Sequence, residues 1–355
     1  MEKIEVSSPG KILKEKLDAN KMSQKEFALR MDLSEKHVSK LINGEVPLST
    51  DVAFRISYVI PSTPSFWINL EKEYREGLYR QKFELDLEKE TTDANLFPYE
   101  AMANLGMVDN SSKIERRVNN LKKFFGVNSL SSLFNESEIN LTNRKLDKNS
   151  KDDVILAVLY RYSYLKSLDL ETSKLSLTKL KRQIDKIKPL SMKRPYEFLP
   201  RLEEILAKCG VAFITLPYID ESSYRVCFKK NNKIVFGLTL KERESDEYWF
   251  SFFEGIGHII LNRLDKEFGM EDYNFARNCI ISSEEYKKAI ELKDFTSRSI
   301  LSTAFRSKLD PSLVLGIFQK DGYIPLDSNL NVLKMVYHSP RNFIEEIEQW
   351  KKNNC

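Results

Sequence analysis

A short stretch near the N-terminus carries side chains of the types that contact DNA. On the exposed face of a predicted helix between residues 34 and 44 lie one glutamate, two lysines and one serine: Glu35, Lys36, Lys40 and Ser39. Such side chains reach base edges and phosphates when a helix enters the major groove. The same pattern is also typical of an ordinary helical hairpin with solvated charges, so both interpretations stay open at this point.

Two short helices must position this face. Ser23 and Glu26 have the spacing of a capping box, which predicts the start of a first helix. Asp32 predicts a tight break, Ser34 caps a second helix and Gly44 ends it. Apolar residues at helical spacing form the inward faces, namely Phe27, Ala28 and Met31 in the first helix and Val38, Leu41 and Ile42 in the second. Two helices joined in this way form a helix-turn-helix.

The stretch resembles the lambdoid-repressor, or XRE, type of helix-turn-helix, and residues 9–74 resemble HigA-type antitoxins. The matching segments are residues 9–13, 23–26, 33–39, 41–44, 47–49 and 66–70. The resemblance implies that Gln24 and Asn43 hold phosphates. It also implies that the second helix enters the major groove. The residues of this helix on that side are Glu35, Lys36, His37, Ser39 and Lys40. A homodimer would then bind a pseudo-palindromic operator in double-stranded DNA.

Three more helices are predicted in this region besides the two of the motif. The first starts at Pro9, the fourth is capped by Ser49, and the fifth opens with large apolar residues. The resembling antitoxins use the fifth helix in dimer contacts, which implies a contact through Phe66, Trp67 and Leu70. The same residues could also complete the core of a small domain, and we expect both roles.

A second set of residues could hold a divalent metal ion. Glu254 and His258 are four residues apart in a predicted helix, so they share one face, and Glu271 falls on the next helix. The surrounding chain, from Leu202 to about Gly322, resembles the ImmA/IrrE family of zinc metallopeptidases. In that family the helix carries His-Glu-x-Gly-His, whose histidines bind zinc and whose glutamate is the general base.

This chain departs from that pattern at two positions. Gly257 and His258 match, whereas Glu254 replaces the first histidine and Gly255 replaces the catalytic glutamate. In that family a third zinc ligand comes from an acidic residue on the next helix, and Glu271 is its expected remnant in this chain. Because glycine cannot accept a proton, we predict no enzyme activity and no cofactor. Two interpretations of the remaining residues stay open. Glu254 and His258 lie in a polar cleft inherited from a peptidase, or they bind a divalent metal weakly together with Glu271.

Composition limits the remaining possibilities. The chain has 355 residues and a net charge of +4, so DNA binding must come from a local patch. The four cysteines, Cys209, Cys227, Cys279 and Cys355, form no Cys-x-x-Cys pair, which indicates reduced thiols in a cytoplasmic protein. The sequence shows neither an apolar stretch of about 20 residues nor an apolar signal core, so we expect no membrane association.

The pattern of elements predicts a mainly α protein with a smaller α+β part. We expect a lambda-repressor-like helix-turn-helix bundle over 1–80, a helical middle region over 81–184, a zincin-like α+β domain over 185–335 and a helical tail over 336–355. Asn231-Asn232 would form a hairpin between two of three β-rich runs. The basic run 179–188 is either a solvated helix face or a second nucleic-acid contact.

Three hypotheses for the function remain. The leading hypothesis is a DNA-binding repressor that also acts as the antitoxin of a HigBA-like toxin–antitoxin module, with the cognate toxin bound beyond residue 80. An apolar stripe in the tail, Phe343, Ile347 and Trp350, could take part in that contact. The alternative is a phage or stress regulator without a toxin partner. An active zinc peptidase is the third hypothesis, against which Gly255 argues directly.

Overall fold

The computed structural model describes residues 8–134, 146–220, 222–230, 233–240 and 245–337, without the side chains of 81–86 and 88. The chain divides into two compact units, Met1–Lys89 and Glu90–Cys355. The predicted hairpin turn at Asn231-Asn232 and the predicted tail stripe of Phe343, Ile347 and Trp350 lie outside the described residues. Among the helices that are described, none is long and apolar enough to cross a membrane.

The first unit is helical. Its elements are α1 (Pro9–Ala19), α2 (Gln24–Met31), α3 (Glu35–Ile42), α4 (Thr50–Val59) and the first part of α5 (Pro64–Ala94). A serine precedes each of the first four helices, and its hydroxyl accepts a hydrogen bond from a backbone N–H in the first turn. These caps satisfy amide groups that have no partner within the helix. The apolar faces of the helices then pack into one core that includes Leu13, Phe27 and Trp67.

The last helix of this unit runs past the boundary that the sequence indicated. We expected the first domain to end at residue 80, but α5 continues without interruption to Ala94, and the two units divide between Lys89 and Glu90. The reason is local, because residues 81–90 contain neither proline nor glycine and consist mostly of good helix formers.

The second unit contains ten further helices in its described part. They are α6 (Tyr99–Asn104), α7 (Ile114–Phe125), α8 (Lys151–Leu168), α9 (Leu177–Ile187), α10 (Pro195–Ala207), α11 (Ser245–Ile260), α12 (Met270–Ile280), α13 (Ser283–Leu292), α14 (Ser297–Ser307) and α15 (Pro311–Lys320). Short 3₁₀ helices span Leu130–Phe134, Lys188–Met192 and Asn329–Leu333. The chain is therefore mostly helical, as its sequence predicts.

A small sheet lies inside the second unit. Its strands are β1 (Val211–Leu216), β2 (Arg225–Lys230) and β3 (Lys233–Thr239), in the order β1-β3-β2. The central β3 is parallel to β1 and antiparallel to β2, with Phe236 opposite both Phe213 and Cys227. On one face Phe213 and Phe236 pack against Phe252 of α11.

The opposite face of the sheet is covered by α8. Ile155, Leu159 and Tyr160 of this helix pack with Ile214 and Val235 of the strands. The sheet is therefore buried on both faces. The predicted middle region, 81–184, is continuous with the sheet-containing part, since its longest helix supplies half of the cover that the sheet needs.

Candidate nucleic-acid interface

The turn between α2 and α3 is set by three residues. Asp32 adopts a left-handed conformation, with φ 53° and ψ 47°, which aspartate tolerates better than most residues. The backbone N–H of Leu33 then donates to the carbonyl of Ala28 (3.0 Å) and closes the end of α2. Ser34 starts α3, and its hydroxyl accepts from the backbone N–H of His37 (3.2 Å).

The inner face of α3 is fixed by packing. Val38 and Leu41 are buried in the core of the first unit. The helix also lies directly against α1, because a Cβ atom on Gly10 would come within 2.2 Å of the Ile42 carbonyl oxygen. Only a residue without a side chain permits this approach. The orientation of α3 about its own axis is therefore determined.

The outer face of α3 carries the residues expected to contact DNA. Glu35 and Lys36 are exposed, and His37, Ser39 and Lys40 are partly exposed. Within the described chain neither lysine forms an ion pair. Both cations are therefore free to contact an external acceptor, which for a helix in the major groove is a phosphate oxygen or the O6/N7 edge of a guanine.

The two residues expected to hold phosphates stand at the ends of the motif. Gln24 is the first residue of α2 and is partly exposed, at a helix N-terminus where backbone N–H groups favour an anion. Asn43 is the exposed C-cap of α3, and Gly44 follows it with φ +73°. The structure thus gives every predicted DNA-contacting residue some exposed surface. Their individual contacts stay predictions.

The predicted dimer contact needs one correction. Trp67 is fully buried in the core of its own unit, and its Nε1–H donates to the hydroxyl of Ser62 (2.8 Å). It therefore has no surface to offer a second copy. Phe66 remains 42% exposed and Leu70 is partly buried. Of the three predicted residues, only Phe66 and Leu70 can take part in a contact between copies.

The second predicted site, at Glu254, His258 and Glu271, is arranged differently from the metal set that the sequence suggested. Glu254 is held by Arg225 of β2, which forms both an ion pair and a hydrogen bond with its carboxylate. The Arg225 guanidinium also lies 3.6 Å from the centre of the Phe268 ring. The carboxylate of Glu254 therefore already has a cationic partner within its own chain.

His258 faces a different acid from the one expected. Its Nδ1 lies 3.2 Å from Oδ1 of Asp272, and both side chains are buried. Burial lowers the pKa of His258, and the neighbouring Asp272 carboxylate only partly opposes this effect. Glu271 instead pairs with Arg263 (2.8 Å), and its side chain is 63% exposed. The expectation that Glu271 would join His258 is therefore wrong.

Asp272, the acid that meets His258, was not predicted from the sequence. The spacing Gly269-x-x-Asp272, which is typical of a capped helix start, could have indicated it. Asp272 accepts a hydrogen bond from the backbone N–H of Gly269 (2.8 Å) and closes the first turn of α12. This capping role turns the carboxylate inward, whereas the preceding Glu271 points outward. One residue of difference along a helix rotates the side chain by about 100°, so the register decides which acid meets the histidine.

A side chain at position 255 fits only if the Phe236 ring moves. A Cβ atom on Gly255 would lie 2.2 Å from the Phe236 ring of β3. Among the residues that the structure describes, no group of three His, Cys, Asp or Glu side chains is arranged to hold a metal ion. Glu254, His258 and Glu271 do not converge, and they do not fit the zinc of the resembling peptidases.

The fold of the first unit and the free outer face of α3 define a DNA-binding helix-turn-helix protein. Comparison with known proteins agrees, since a helix-turn-helix family model matches residues 13–67. An uncharacterized HTH-type transcriptional regulator of Escherichia coli K12, YddM, is 36% identical over 66 residues, which are 19% of this chain and 70% of that protein. The chain belongs to this family of helix-turn-helix transcriptional regulators.

A solved structure is also similar over a short part of the chain. It is an addiction module antidote protein of a HigA family from Coxiella burnetii, 30% identical, covering 24% of this chain and 92% of that one, with a TM-score of 0.22. The curated and the structural match each span no more than a quarter of the present chain. The family assignment therefore concerns the N-terminal part.

Proposed function

We propose that this regulator is a repressor that binds its operator as a homodimer and acts as the antitoxin of a HigBA-like toxin–antitoxin module. The observation that carries the DNA-binding part is the outer face of α3. Two lysines without an ion pair in the described chain stand there beside side chains that can read bases, Glu35 and Ser39. The antitoxin part rests on the resemblance of residues 9–74.

The DNA-binding proposal is tested by selecting duplexes from a random library with the full chain. A pseudo-palindrome with half-sites about one helical turn apart is expected. Lys36→Ala and Lys40→Ala should each weaken binding to the selected duplex by about 1–3 kcal/mol if the lysine contacts a base. Lys14→Ala is the matched control, because Lys14 is an exposed lysine of α1 outside the motif.

Two results would overturn this assignment. One is the same affinity for the selected duplex in the Lys36→Ala, Lys40→Ala double variant as in the natural chain. The other is an equal loss in the Lys14→Ala control, which would show that any surface lysine of this unit has the same effect.

The homodimer is tested by light scattering with and without the selected duplex. Phe66→Ser removes the larger of the two predicted contact side chains that retain surface, Phe66 and Leu70. We expect the natural chain to be dimeric at micromolar concentration and the variant to dissociate more readily. A natural chain that stays monomeric even on its duplex contradicts the proposal.

The toxin partner is tested by co-expression with the product of the adjacent gene. The antitoxin role predicts that this product is toxic alone, harmless in the presence of the chain, and recovered in complex with it. A harmless product, or one that does not co-purify, would leave a regulator that acts without a toxin.

We also propose that the second unit performs no peptidase chemistry. The Glu254 carboxylate is paired with Arg225, and the place of a general base beside it is filled by the Phe236 ring. General-base catalysis typically supplies about 10²–10⁴-fold in rate, which glycine cannot provide. Incubation with candidate protein substrates and added Zn²⁺ or Mn²⁺ should give no cleavage. Metal-dependent cleavage by the natural chain would refute the proposal.

The Phe236 ring also determines the outcome of an attempted rescue. Gly255→Glu combined with Glu254→His would recreate the peptidase pattern in sequence. Since a Cβ atom at position 255 meets the Phe236 ring, we expect the double variant to lower the stability of the second unit without restoring activity. A stable and active double variant would instead show that the peptidase fold is intact.

A further inference from the structure

The second unit carries a strongly basic helix that the proposed function leaves without a role. Residues 1–89 contain 15 basic and 15 acidic side chains, so the net charge of +4 lies entirely in residues 90–355. Within the second unit, residues 174–208 contain 10 basic and only 4 acidic side chains. Helix α9 lies in the first half of this segment.

Helix α9 has one face committed to the core. Leu180 and Ile187 are fully buried, and Ile184 packs against the same cluster from a partly buried position. The opposite face is polar and carries the exposed cations Lys181, Arg182 and Lys186. No large apolar side chain of α9 is exposed, so this face offers nothing to insert into a membrane interface.

Two neighbouring cations are already used within the chain. Lys179 donates from Nζ to the backbone carbonyl of Lys208 (2.6 Å), at the end of α10. Lys188 pairs with Asp185 (3.3 Å). For Lys181, Arg182 and Lys186, by contrast, the described chain provides no ion pair.

The free cations repel one another within the helix. Arg182 and Lys186 are four residues apart, so they are neighbours on the surface of α9, and a like-charge pair at this spacing is unfavourable. An external polyanion removes that repulsion. Because the proposed function places duplex DNA on α3 of the same chain, a second DNA contact gains from the high local concentration that the connecting chain provides.

We infer that the basic face of α9 is a second DNA contact, which binds backbone phosphates of the duplex held by α3 and reads no bases. This inference rests on the proposed DNA-binding function. It requires only lysine and arginine contacts to phosphate, which position a protein on DNA without carrying sequence information. Each such contact adds to the salt dependence of binding.

The test compares two triple variants of the full chain that remove the same charge. Lys181→Ala, Arg182→Ala, Lys186→Ala changes the α9 face, and Lys287→Ala, Lys288→Ala, Arg298→Ala changes exposed cations of α13 and α14. Binding to a random-sequence duplex and to a duplex selected by the natural chain is measured across a range of KCl concentrations.

The α9 variant should bind both duplexes more weakly. The slope of log affinity against log salt should fall by about 0.9 for each phosphate that the variant no longer neutralises, and by no more than about 3 in total. Its preference for the selected over the random duplex should stay unchanged, because phosphate contacts do not read sequence. The α13/α14 variant should keep the slope of the natural chain.

Three results overturn the inference. The first is an unchanged salt slope in the α9 variant, and the second is an equal fall of the slope in both triple variants. The third is an α9 variant that binds the duplexes as the natural chain does but no longer binds polyglutamate. That result would assign the face to an acidic protein. In each case the natural chain still binds DNA selectively. Absence of duplex binding by the natural chain itself would instead refute the DNA-binding function on which the inference rests.

Discussion

The helix pairs α2–α3 and α14–α15 are joined by turns of the same conformation. Asp32 and Lys308 occupy the first turn position with φ and ψ of 53° and 47° in one case and 55° and 44° in the other. A leucine follows in both turns, and then an N-cap residue, Ser34 or Asp310. The two turns lie in different units, so the similarity reflects local geometry alone.

Burial agrees at corresponding positions on the inner faces. Four residues after the N-cap, Val38 and Val314 are both 0% exposed. Three residues before the left-handed position, the first helices instead point outward, at Leu29 (83% exposed) and Phe305 (85% exposed). The two helix pairs therefore present equivalent faces to their own cores.

The outer faces of the second helices differ completely. Lys36 is exposed and Ser39 is partly exposed, whereas their counterparts Ser312 and Leu315 are fully buried. Helix α15 packs against α11 as well as α14, so no face of it is left for a ligand as large as DNA. A helix-turn-helix turn is thus a local structure, and exposure of the second helix decides whether it can bind DNA.

The largest effect should come from matched truncations five residues after each N-cap. Leu315→Ala removes a fully buried side chain and should lower the stability of the second unit by about 2–5 kcal/mol. Ser39→Ala should change the stability of the first unit by less than about 0.5 kcal/mol. Hydrogen exchange measured separately in peptides of α15 and α3 checks both values. Similar losses at the two positions would break the comparison.

Removal of the N-cap side chain should give stability losses that differ less between the two units, because both turns depend on their N-cap. Ser34→Ala removes one capping bond at the surface and should cost about 1 kcal/mol. Asp310 is buried and accepts hydrogen bonds from both the backbone N–H and the hydroxyl of Ser312, so Asp310→Ala should cost about 1–3 kcal/mol. Chemical denaturation, with exchange data to assign each transition to its unit, checks the order. A larger cost at Ser34 would contradict it.

The two caps should also differ in their response to pH. Burial raises the pKa of Asp310 above its usual value, so the folded state holds the proton more tightly than the unfolded state. The stability from this group is fully present below the unfolded pKa and is lost as pH rises through the folded pKa. Relative to Asp310→Asn, the natural chain should therefore lose stability between acidic and neutral pH. Parallel stability curves for the two proteins would exclude this effect.

The smallest effect should be the same in both turns. Asp32 and Lys308 have positive φ, which favours glycine, and Asp32→Gly and Lys308→Gly should each stabilise their unit by no more than about 1 kcal/mol. Thermal unfolding of the two variants checks the sign. Opposite signs would show that the turns are equivalent in geometry but not in strain.

The sequence allowed the elements with local signals to be predicted closely. The capping serines, the Asp32 break and Gly44 lie within one stretch of 22 residues, and α2 and α3 form where these signals indicate. Apolar residues at helical spacing over 114–125, followed by Gly126, also predict a helix, which the structure shows as α7, and Gly126 adopts φ +71°. Helix α13 was not predicted, although Ser282 caps it in the same way.

The tertiary structure alone decided how distant residues meet. Arg225 reaches Glu254 across 29 residues, and Phe236 closes the place beside Gly255 from another strand. Sequence spacing indicated that Glu254 and His258 share a helix face, but not that their partners are Arg225 and Asp272. The same limit applies to Trp67, whose burial depends on the core formed by all five helices of its unit.

The sequence by itself therefore determined that the first unit is a helix-turn-helix, because caps, breaks and helical periodicity act within a few residues. It also indicated which second helix is exposed, because the outer face of α3 carries Lys36 and Lys40, whereas α15 is apolar around most of its circumference. It could not show which part of the chain covers the outer face of α15, because that contact joins residues far apart in the sequence. In this protein α11 covers α15, while α3 keeps Lys36 exposed and Lys40 partly exposed to solvent.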